Sequence, residues 1–390
     1  MAMTTSNTNP KRKTIGEHLE HPYAHYNLLL GATLILLVLG LVMVTSASSI
    51  YSYQINDGNS WAIALRQAFY AVVGVGVMFW IQRVPLVTIR RAIPFFMIVV
   101  LVLLVLVLII GTAKHGQRNW IEFGSFARIQ PSEFAKLAIV LFAADMLERK
   151  SHLLNYRSEL MRPVGWLFLI ILVLILLEGD VGTSIVIVPI MLAAFYLIGA
   201  PMRIFVAIAA LGVAGIAALT AIAPYRMARF TSWINPQADP QGAGFQLIHG
   251  QQALGSGGLW GRGLGGSREK WGTLPEAHTD FIFAVIGEEL GILGTLSVLF
   301  LFFLIAFVGL RIARNTDDLF IELASFGIVV WLIWQMMVNI GAVLRLMPIT
   351  GVPLPLVSTG GSSLIPTLAA LGLLMSFAKY EAIKQQRQNR

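Results

Sequence analysis

The chain contains no cysteine and very little charge. Only 12% of its 390 residues are Asp, Glu, Lys or Arg, and its seven histidines are scattered without ligand spacing. The missing thiols exclude disulfide bonds, thiolate chemistry and a cysteine-based metal site, and the histidines give no sign of a histidine-based one. So few charges would be unusual in a soluble protein, whereas they are typical of a polytopic membrane protein.

Long hydrophobic runs take the place of the missing charges. Hydrophobic residues make up 56% of the chain, and the mean hydropathy is +0.74. The runs predict an all-α polytopic membrane protein with about ten transmembrane helices, each near the roughly 20 residues that a bilayer needs. A transmembrane domain (26–378) would then lie between an N-terminal tail (1–25) and a C-terminal tail (379–390). The predicted spans are 26–46, 61–82, 92–112, 132–147, 164–177, 184–199, 202–223, 280–313, 319–344 and 363–378.

Lys and Arg in the short loops predict the orientation, because these residues are enriched on the cytoplasmic side. With ten spans the strongly basic loops and tails share one side, so both termini are predicted to be cytoplasmic. Residues 224–279 then form one long extracytoplasmic loop. The residues that set this orientation are Lys11, Arg12, Lys13, Arg83, Arg90, Arg91, Arg149, Lys150, Arg157, Arg162, Arg311, Arg314, Lys379, Lys384, Arg387 and Arg390.

Some positive charge remains on the predicted outer face, against this rule. It indicates either an anionic ligand at the outer leaflet or solvated charges in loops that translocate regardless, since long loops are exempt from the rule. The net charge of +8 reflects orientation in a membrane protein, and no nucleic-acid partner is expected. The outer basic residues are Lys114, Arg118, Arg128, Arg226, Arg229, Arg262, Arg268 and Lys270.

Three titratable residues, Glu276, His278 and Asp280, fall within five residues just as the apolar run at 280–313 begins. Pro275 favours a first helical turn, and acids there complement the positive end of the helix dipole. We therefore expect Asp280 at the mouth of a membrane helix, where partial desolvation raises its basicity and suits it to accept a proton. The alternative, which these residues alone favour, is an ordinary acidic first turn of a membrane helix.

Other ionisable residues lie inside or beside predicted spans, where they are costly and indicate function by default. Residues 114–124 alternate between polar and apolar and predict a short hairpin on the membrane. Glu133 and Lys136, three residues apart, predict either a functional amine or a local ion pair with a snorkelling lysine. Asp180 could hold a cation or a sugar hydroxyl, but we favour its capping of the helix that follows.

Two irregular segments and two deep acids complete the pattern. Residues 251–266 hold at least six glycines and could cradle pyrophosphate with backbone N–H groups, or could form a flexible re-entrant loop; they contain no P-loop motif. Residues 348–363 hold three prolines and cannot be a regular span, so they must line a cavity or be buried in protein. Glu288 and Glu289 need a cavity or a partner, for which Arg345 is a candidate.

Several of these motifs resemble the SEDS family (FtsW/RodA/SpoVE), whose members are glycosyltransferases of bacterial cell-wall synthesis. GLGGSREKWGTLPEAHTDFIF is closer to the division branch of that family, FtsW. The sequence departs from the family pattern at Gly179, where Pro is usual, and at Thr359, where many members have Tyr or Ser. The other matching motifs, which extend the resemblance over most of the chain, are LPEAHTDFIFAVIGEELG, RNW, QPSEFAKL, GFQ, ALGSGG and residues 348–363.

The resemblance implies an enzyme that polymerises lipid II, a disaccharide-pentapeptide on undecaprenyl pyrophosphate, at the outer face of the cytoplasmic membrane during cell division. Asp280 is the implied catalytic base. It would deprotonate the acceptor's 4-hydroxyl, and in-line attack would invert the anomeric centre and release undecaprenyl pyrophosphate. Lys136, Arg118 and Arg345 would neutralise the leaving diphosphate. The other residues predicted to bind substrate are Glu133, Asp180, Glu276, His278 and Ser358.

The resemblance also implies partners and a location. A class B penicillin-binding protein transpeptidase (FtsI-like), other divisome proteins and membrane lipid are expected around a multi-pass protein at the septum of a bacterial cytoplasmic membrane. A divalent cation, Mg or Mn, could act near Asp280, but the carboxylates are too dispersed to define a site. The alternatives are a lipid II flippase or secondary transporter, which broken helices and membrane acids also suit, an elongation (RodA-type) member, and a non-catalytic division scaffold.

Overall fold

The fold is mostly helical, as the hydropathy predicts. A computed structural model describes residues 23–114, 117–124, 127–151, 157–222, 224–242 and 244–388. All but the last three residues of the predicted N-terminal tail (1–25) therefore lie outside the described residues. The helices are α1 (Ala24–Ile55), α2 (Ala62–Ile81), α3 (Leu86–Ile110), α4 (Pro131–Arg149), α5 (Arg157–Leu177), α6 (Val181–Leu197), α7 (Met202–Ile222), α8 (Pro224–Ile234), α9 (Phe245–Ser256), α10 (Ile282–Asn315), α11 (Leu319–Val343) and α12 (Gly361–Gln388).

Within the described residues, six helices are long and apolar enough to cross a membrane: α1, α2, α3, α10, α11 and most of α12. Shorter apolar helices occupy Arg162–Leu177, Val181–Leu197 and Met202–Gly215. Apolar side chains also cover the outside of the bundle; Phe300 and Phe303 of α10, for example, are 62% and 67% exposed. Such a surface suits lipid and not water. The chain is therefore a multi-pass membrane protein, while the count of ten spans and their orientation stay predictions.

The prediction of an all-α protein is wrong in one place, between α3 and α4. Strands β1 (Thr112–Lys114), β2 (Gln117–Phe123) and β3 (Ala127–Ile129) form an antiparallel sheet in the order β1-β2-β3. The predicted hairpin corresponds to β1 and β2. Strand β3 was missed because three residues are too few to show a period of two. An ion pair between Arg128 Nε and Glu122 Oε1, 3.2 Å apart, links β3 to β2.

The segment predicted as one long outer loop (224–279) is also more ordered than expected. It contains α8, α9 and two 3-10 turns at Pro236–Ala238 and Glu269–Trp271. Three apolar residues, Met227, Phe230 and Ile234, share one side of α8 and are exposed. An exposed apolar side on a short helix is typical of a helix that lies along a membrane interface. Likewise, most of the predicted C-terminal tail (379–390) is helical, because α12 runs to Gln388.

Helix α10 is interrupted at Gly291, and backbone groups of the Gly-rich segment 257–266 supply hydrogen bonds at the interruption. Gly291 has φ 68° and ψ −163°, which interrupts the helical hydrogen bonds. The amides of Arg262 and Gly263 donate to the carbonyls of Glu288 (2.9 Å) and Glu289 (3.0 Å), and Ile292 N donates to Gly258 O (3.0 Å). The backbones approach so closely that a Cβ on Gly291 would lie 2.4 Å from Gly261 N. Glycine is therefore required at the break by both conformation and space.

We predict that Gly291→Ala destabilises the protein by about 2 kcal/mol or more, because alanine adds left-handed strain and a clash with backbone. Gly31→Ala is the matched control, since Gly31 lies in α1 with no atom within 4 Å of an added Cβ. Thermal unfolding of the purified variants in detergent measures both. Equal midpoints for the two variants would contradict the proposed close contact.

Candidate functional site

The irregular chain between α11 and α12, which we call the proline-rich segment (Pro348–Gly360), is held by buried amide side chains. Asn339 Nδ2 donates to Val352 O at 2.8 Å, and Gln335 Nε2 donates to Pro353 O at 2.9 Å. Gln67 of α2 accepts from Gly360 N at 3.1 Å. All three amides are at most 3% exposed. The segment is thus buried in protein, as its composition predicted.

The residues before α10 are attached to this same segment. Ser358 Oγ donates to Thr279 O at 2.7 Å and accepts from Leu354 N at 2.8 Å. Thr359 N donates to His278 O at 3.0 Å. Ser358 is buried, and its hydroxyl ties the stretch before α10 to the proline-rich segment. That Ser358 contacts substrate stays a prediction.

Asp280 lies where these tethers meet. Its carbonyl accepts from Asn339 Nδ2 at 2.9 Å, and its Oδ2 is 3.6 Å from the position that a Cβ on Gly351 would take. Its side chain is half-buried. Helix α10 begins at Ile282, after Asp280, so the alternative of an ordinary acidic first turn is wrong, and Asp280 precedes the helix instead of belonging to it. Gly351, with φ 76°, leaves room beside the carboxylate.

The surroundings of Asp280 make it a better base. Burial, the main cause, and the charge of Glu276 raise the pKa of Asp280, the charge of Arg229 lowers it, and the net result is a pKa of about 7. A carboxylate with a pKa near the working pH combines a useful ionised fraction with a strong affinity for a proton. The desolvated position predicted for Asp280 therefore has the expected electrostatic effect.

Glu276 and His278 flank Asp280 in different ways. Glu276 is exposed, has φ 53°, and its Oε2 accepts from Thr279 Oγ1 at 2.6 Å. The His278 ring stacks on Tyr51 of α1, with centroids 5.0 Å apart. Burial lowers the pKa of His278, while the charge of Glu276 opposes that shift. His278 is therefore favoured as a neutral ring that packs the stretch against α1.

Lys136 lies behind the proline-rich segment. Its Nζ is 2.7 Å from Glu133 Oε2 and donates to Gln335 Oε1 at 2.9 Å, and Gln335 also holds Pro353 O. The amine lies 5.6 Å from the centre of the Trp331 ring. The predicted Glu133–Lys136 pair is confirmed, but the snorkelling is wrong, because Lys136 is 0% exposed. Its charge reaches the segment through Gln335.

Asp180 caps α6, as the favoured interpretation predicted. It accepts from Thr183 N at 2.9 Å, Thr183 Oγ1 at 2.8 Å and Gln130 Nε2 at 2.9 Å. The helix that it caps presses against the proline-rich segment, since a Cβ on Gly182 would lie 2.4 Å from Thr350 O. Through α6, Asp180 thus supports the part of the proline-rich segment next to Gly351. Nearby Glu178 is buried, and its carboxyl oxygens have no hydrogen-bond partner among the described residues.

The predicted cations Arg118 and Arg345 both donate to backbone carbonyls. Arg118 is exposed, and its Nη1 donates to Leu108 O at 3.2 Å. Arg345 does not pair with Glu288 or Glu289. Its Nε donates to Trp233 O at 2.9 Å and its Nη2 donates to Ile234 O, at the carboxyl end of α8. The proposed pairing is therefore wrong, because Arg345 interacts with the last carbonyls of a helix, where positive charge is favoured.

Glu288 and Glu289 instead form ion pairs with Arg262 and Lys270, which precede α10. Glu288 Oε1 is 3.2 Å from Arg262 Nη1, and Glu289 Oε1 is 2.9 Å from Lys270 Nζ. The amides of Arg268 (2.9 Å) and Gly265 (3.0 Å) donate to the same two carboxylates. The Gly-rich segment thus uses the N–H group of Gly265 to bind a carboxylate of its own chain. That amide is not free to hold pyrophosphate, the first of the two alternatives for residues 251–266.

Within the described residues, no three His, Cys, Asp or Glu side chains form a group that could hold a metal ion. Arg229 and the buried amides Gln67, Gln335 and Asn339 were not predicted from the sequence as residues of the site. A signal for the amides was available, since uncharged polar residues inside apolar runs also need partners in a membrane. Arg229 was noted only as one of several outer charges, and nothing in the sequence places it beside Asp280.

Comparisons with known proteins identify what this architecture resembles. The model of the FtsW/RodA/SpoVE cell cycle protein family matches residues 26–383. Stage V sporulation protein E of Bacillus subtilis is 42% identical over 90% of this chain and 96% of its own length. A Mycobacterium tuberculosis protein named "Probable peptidoglycan glycosyltransferase FtsW" is 37% identical over 95% of this chain and 71% of its own.

Solved structures agree with these matches. A chain from a peptidoglycan synthase complex that coordinates polymerization and crosslinking has a TM-score of 0.73 and 28% identity, covering 90% of this chain and 97% of that one. The rod shape determining protein RodA of Thermus thermophilus has a TM-score of 0.66 and 27% identity, covering 90% and 95%.

We predict that Asn339→Leu destabilises the protein, because it leaves the carbonyls of Asp280 and Val352 without their amide donor. Each unsatisfied buried carbonyl costs about 1–3 kcal/mol. The control is Ser297→Ala, which removes an exposed hydroxyl bonded only within its own helix. Thermal unfolding in detergent checks both. An Asn339→Leu midpoint equal to that of Ser297→Ala would contradict the described role of Asn339.

Proposed function

Because the chain belongs to the FtsW/RodA/SpoVE family of cell cycle proteins, we propose that it polymerises lipid II into glycan strands at the outer face of the cytoplasmic membrane during cell division. The coarser activity follows from the relatives: it is a peptidoglycan glycosyltransferase. The finer statements, which concern the substrate, the face of the membrane and the septal role, are our inference. The single observation that carries the mechanism is the half-buried Asp280 carboxylate with its pKa raised to about 7.

In the proposed reaction Asp280 is the general base. The acceptor's 4-hydroxyl oxygen attacks the anomeric carbon of the donor strand while Asp280 takes the hydroxyl proton. The bond between that carbon and the diphosphate oxygen breaks, and undecaprenyl pyrophosphate leaves with the bonding electron pair. A single displacement of this kind inverts the anomeric centre. The burial that raises the pKa of Asp280 also strengthens the drive for proton transfer.

The other predicted site residues take supporting roles in this proposal. Lys136, with Glu133, acts through Gln335 on the proline-rich segment, and Asp180 supports the same segment through α6. Glu276 raises the basicity of Asp280, and His278 and Ser358 hold its stretch in place. Arg118, which is exposed, remains a candidate contact for the diphosphate, and Arg345 contributes by holding α8. If a divalent cation takes part, we expect it to arrive with the diphosphate.

The partner and location complete the proposal. The similarity to a chain of a peptidoglycan synthase complex supports a class B penicillin-binding protein as partner, so that polymerisation and cross-linking occur together. We further propose a place among divisome proteins at the septum, in keeping with the resemblance to the division branch of the family. The distribution of Lys and Arg supports both termini in the cytoplasm and Asp280 on the outer face.

We predict that Asp280→Asn leaves the protein folded but lowers lipid II polymerisation by about 10²–10⁴-fold, the range expected for a lost general base. The control is Asp57→Asn, which changes an exposed carboxylate in the turn after α1. The assay measures glycan strands made from lipid II by purified protein in detergent. Because no sealed compartment is present, a flippase would make no strands. Near-normal polymerisation by Asp280→Asn would remove the assignment.

The raised pKa predicts a pH dependence. A base works when deprotonated, so the rate should be on a plateau above pH 7 and fall about tenfold per unit below it. Initial polymerisation rates at saturating lipid II between pH 5 and 9, with return to pH 8 as the stability control, give the profile. An acid limb near pH 4, the region of an unperturbed Asp, would contradict the desolvated base.

A further inference from the structure

Arg229 lies on the side of α8 that contacts the end of α11. Helix residues four apart share a face, so Arg229 lies on the same side of α8 as Trp233. That side is fixed against the end of α11, because Trp233 Nε1 donates to Arg345 O at 3.1 Å and Arg345 Nε donates to Trp233 O at 2.9 Å. The opposite side carries the exposed Met227, Phe230 and Ile234. Accordingly, Arg229 is half-buried.

Asp280 is fixed to the same end of α11. Asn339 holds the Asp280 carbonyl, and about 6 Å of helix separate Asn339 from the end of α11 at Val343. Arg345 follows two residues later. The side of α8 that carries Arg229 and the backbone of Asp280 are therefore both held at the same end of α11, and the charge of Arg229 lowers the pKa of Asp280.

The Arg229 guanidinium is also free to bind a ligand. Among the described residues its guanidinium has no hydrogen bond and no ion pair closer than 4.0 Å, although a half-buried charge gains from having a partner. The other predicted cations are engaged: Lys136 with Glu133 and Gln335, and Arg345 with the carbonyls of α8. A planar guanidinium suits bidentate binding of phosphate oxygens.

We propose that Arg229 binds a phosphate oxygen of the polyprenyl diphosphate beside Asp280, and that Arg345 is a positioning residue that holds α8 so that Arg229 faces the site. The inference rests on the proposed function for the identity of the diphosphate. It identifies the cation that receives the charge of the leaving group, a role that the sequence analysis gave to Lys136, Arg118 and Arg345.

The test measures ligand binding by the full-length protein in detergent, in an Asp280→Asn background, so that turnover plays no part. The probes are undecaprenyl pyrophosphate, inorganic pyrophosphate and phosphatidylglycerol. We expect Arg229→Gln to weaken undecaprenyl pyrophosphate binding by about 10- to 100-fold and Arg229→Lys to restore part of it. Arg268→Gln, which changes an exposed arginine of the same outer segment, should bind like the parent.

The probes separate the sources of phosphate. Weaker binding of both pyrophosphates with unchanged phosphatidylglycerol binding supports a diphosphate site. An equal loss for phosphatidylglycerol would show a general lipid-headgroup contact and overturn the proposal. Unchanged binding of all three, with the acid limb of the pH–rate profile of Arg229→Gln moved to higher pH, would leave Arg229 only as a charge neighbour of Asp280 and would also overturn it.

A double-variant cycle tests the positioning role of Arg345. Arg345→Gln alone should weaken undecaprenyl pyrophosphate binding, and it should add little when Arg229 is already Gln. Additive losses would indicate a separate folding defect and contradict the positioning role. These outcomes are independent of Asp280: if wild-type protein makes no strands from lipid II the proposed function fails, whereas unchanged binding by Arg229→Gln in a polymerising enzyme defeats only this inference.

Discussion

Backbone that leaves a helix inside an apolar bundle must find hydrogen-bond partners there, since lipid offers none. The proline-rich segment meets this constraint through Gln335, Asn339 and Gln67, whose amides replace the missing helical hydrogen bonds. Two of these side chains also contact residues outside the segment. Asn339 holds Asp280, and Gln335 connects the segment to Lys136. One set of buried amides therefore fixes both the irregular chain and the backbone of Asp280 beside it.

These hydrogen bonds keep the chain around Asp280 in place while its carboxylate stays poorly solvated. Hydrogen bonds to the backbone carbonyls of His278, Thr279 and Asp280 hold the stretch before α10 against the proline-rich segment, and the Asp280 side chain is half-buried there. Burial then raises its pKa, and Glu276 and Arg229 adjust it in opposite directions. At the other end of the first part of α10, just before Gly291, Glu288 and Glu289 form ion pairs with Arg262 and Lys270 of the chain that precedes the helix. Both ends of the first part of α10 are thus anchored.

Features that depend on neighbouring residues were predictable from the sequence, and features that depend on distant ones were not. The positions of the helices follow from hydropathy, the Glu133–Lys136 pair from spacing, and the Asp180 cap from its place before α6. The family resemblance is confirmed by the match over residues 26–383. In contrast, Arg345 contacts Trp233 at a separation of 112 residues, and Lys270 reaches Ser46 across 224. No periodicity carries such information, and for that reason the partners of Glu288 and Arg345 were wrongly paired.

The central claim is that the fold holds Asp280 as a carboxyl group that ionises near neutrality. Infrared difference spectroscopy of the purified protein across pH follows this directly, since the protonated carboxyl band of one residue can be identified by its loss in Asp280→Asn. The account predicts a band that disappears with a midpoint near pH 7 and is absent from the variant. An Asp280 carboxyl already ionised at about pH 4, its ordinary range, would contradict it.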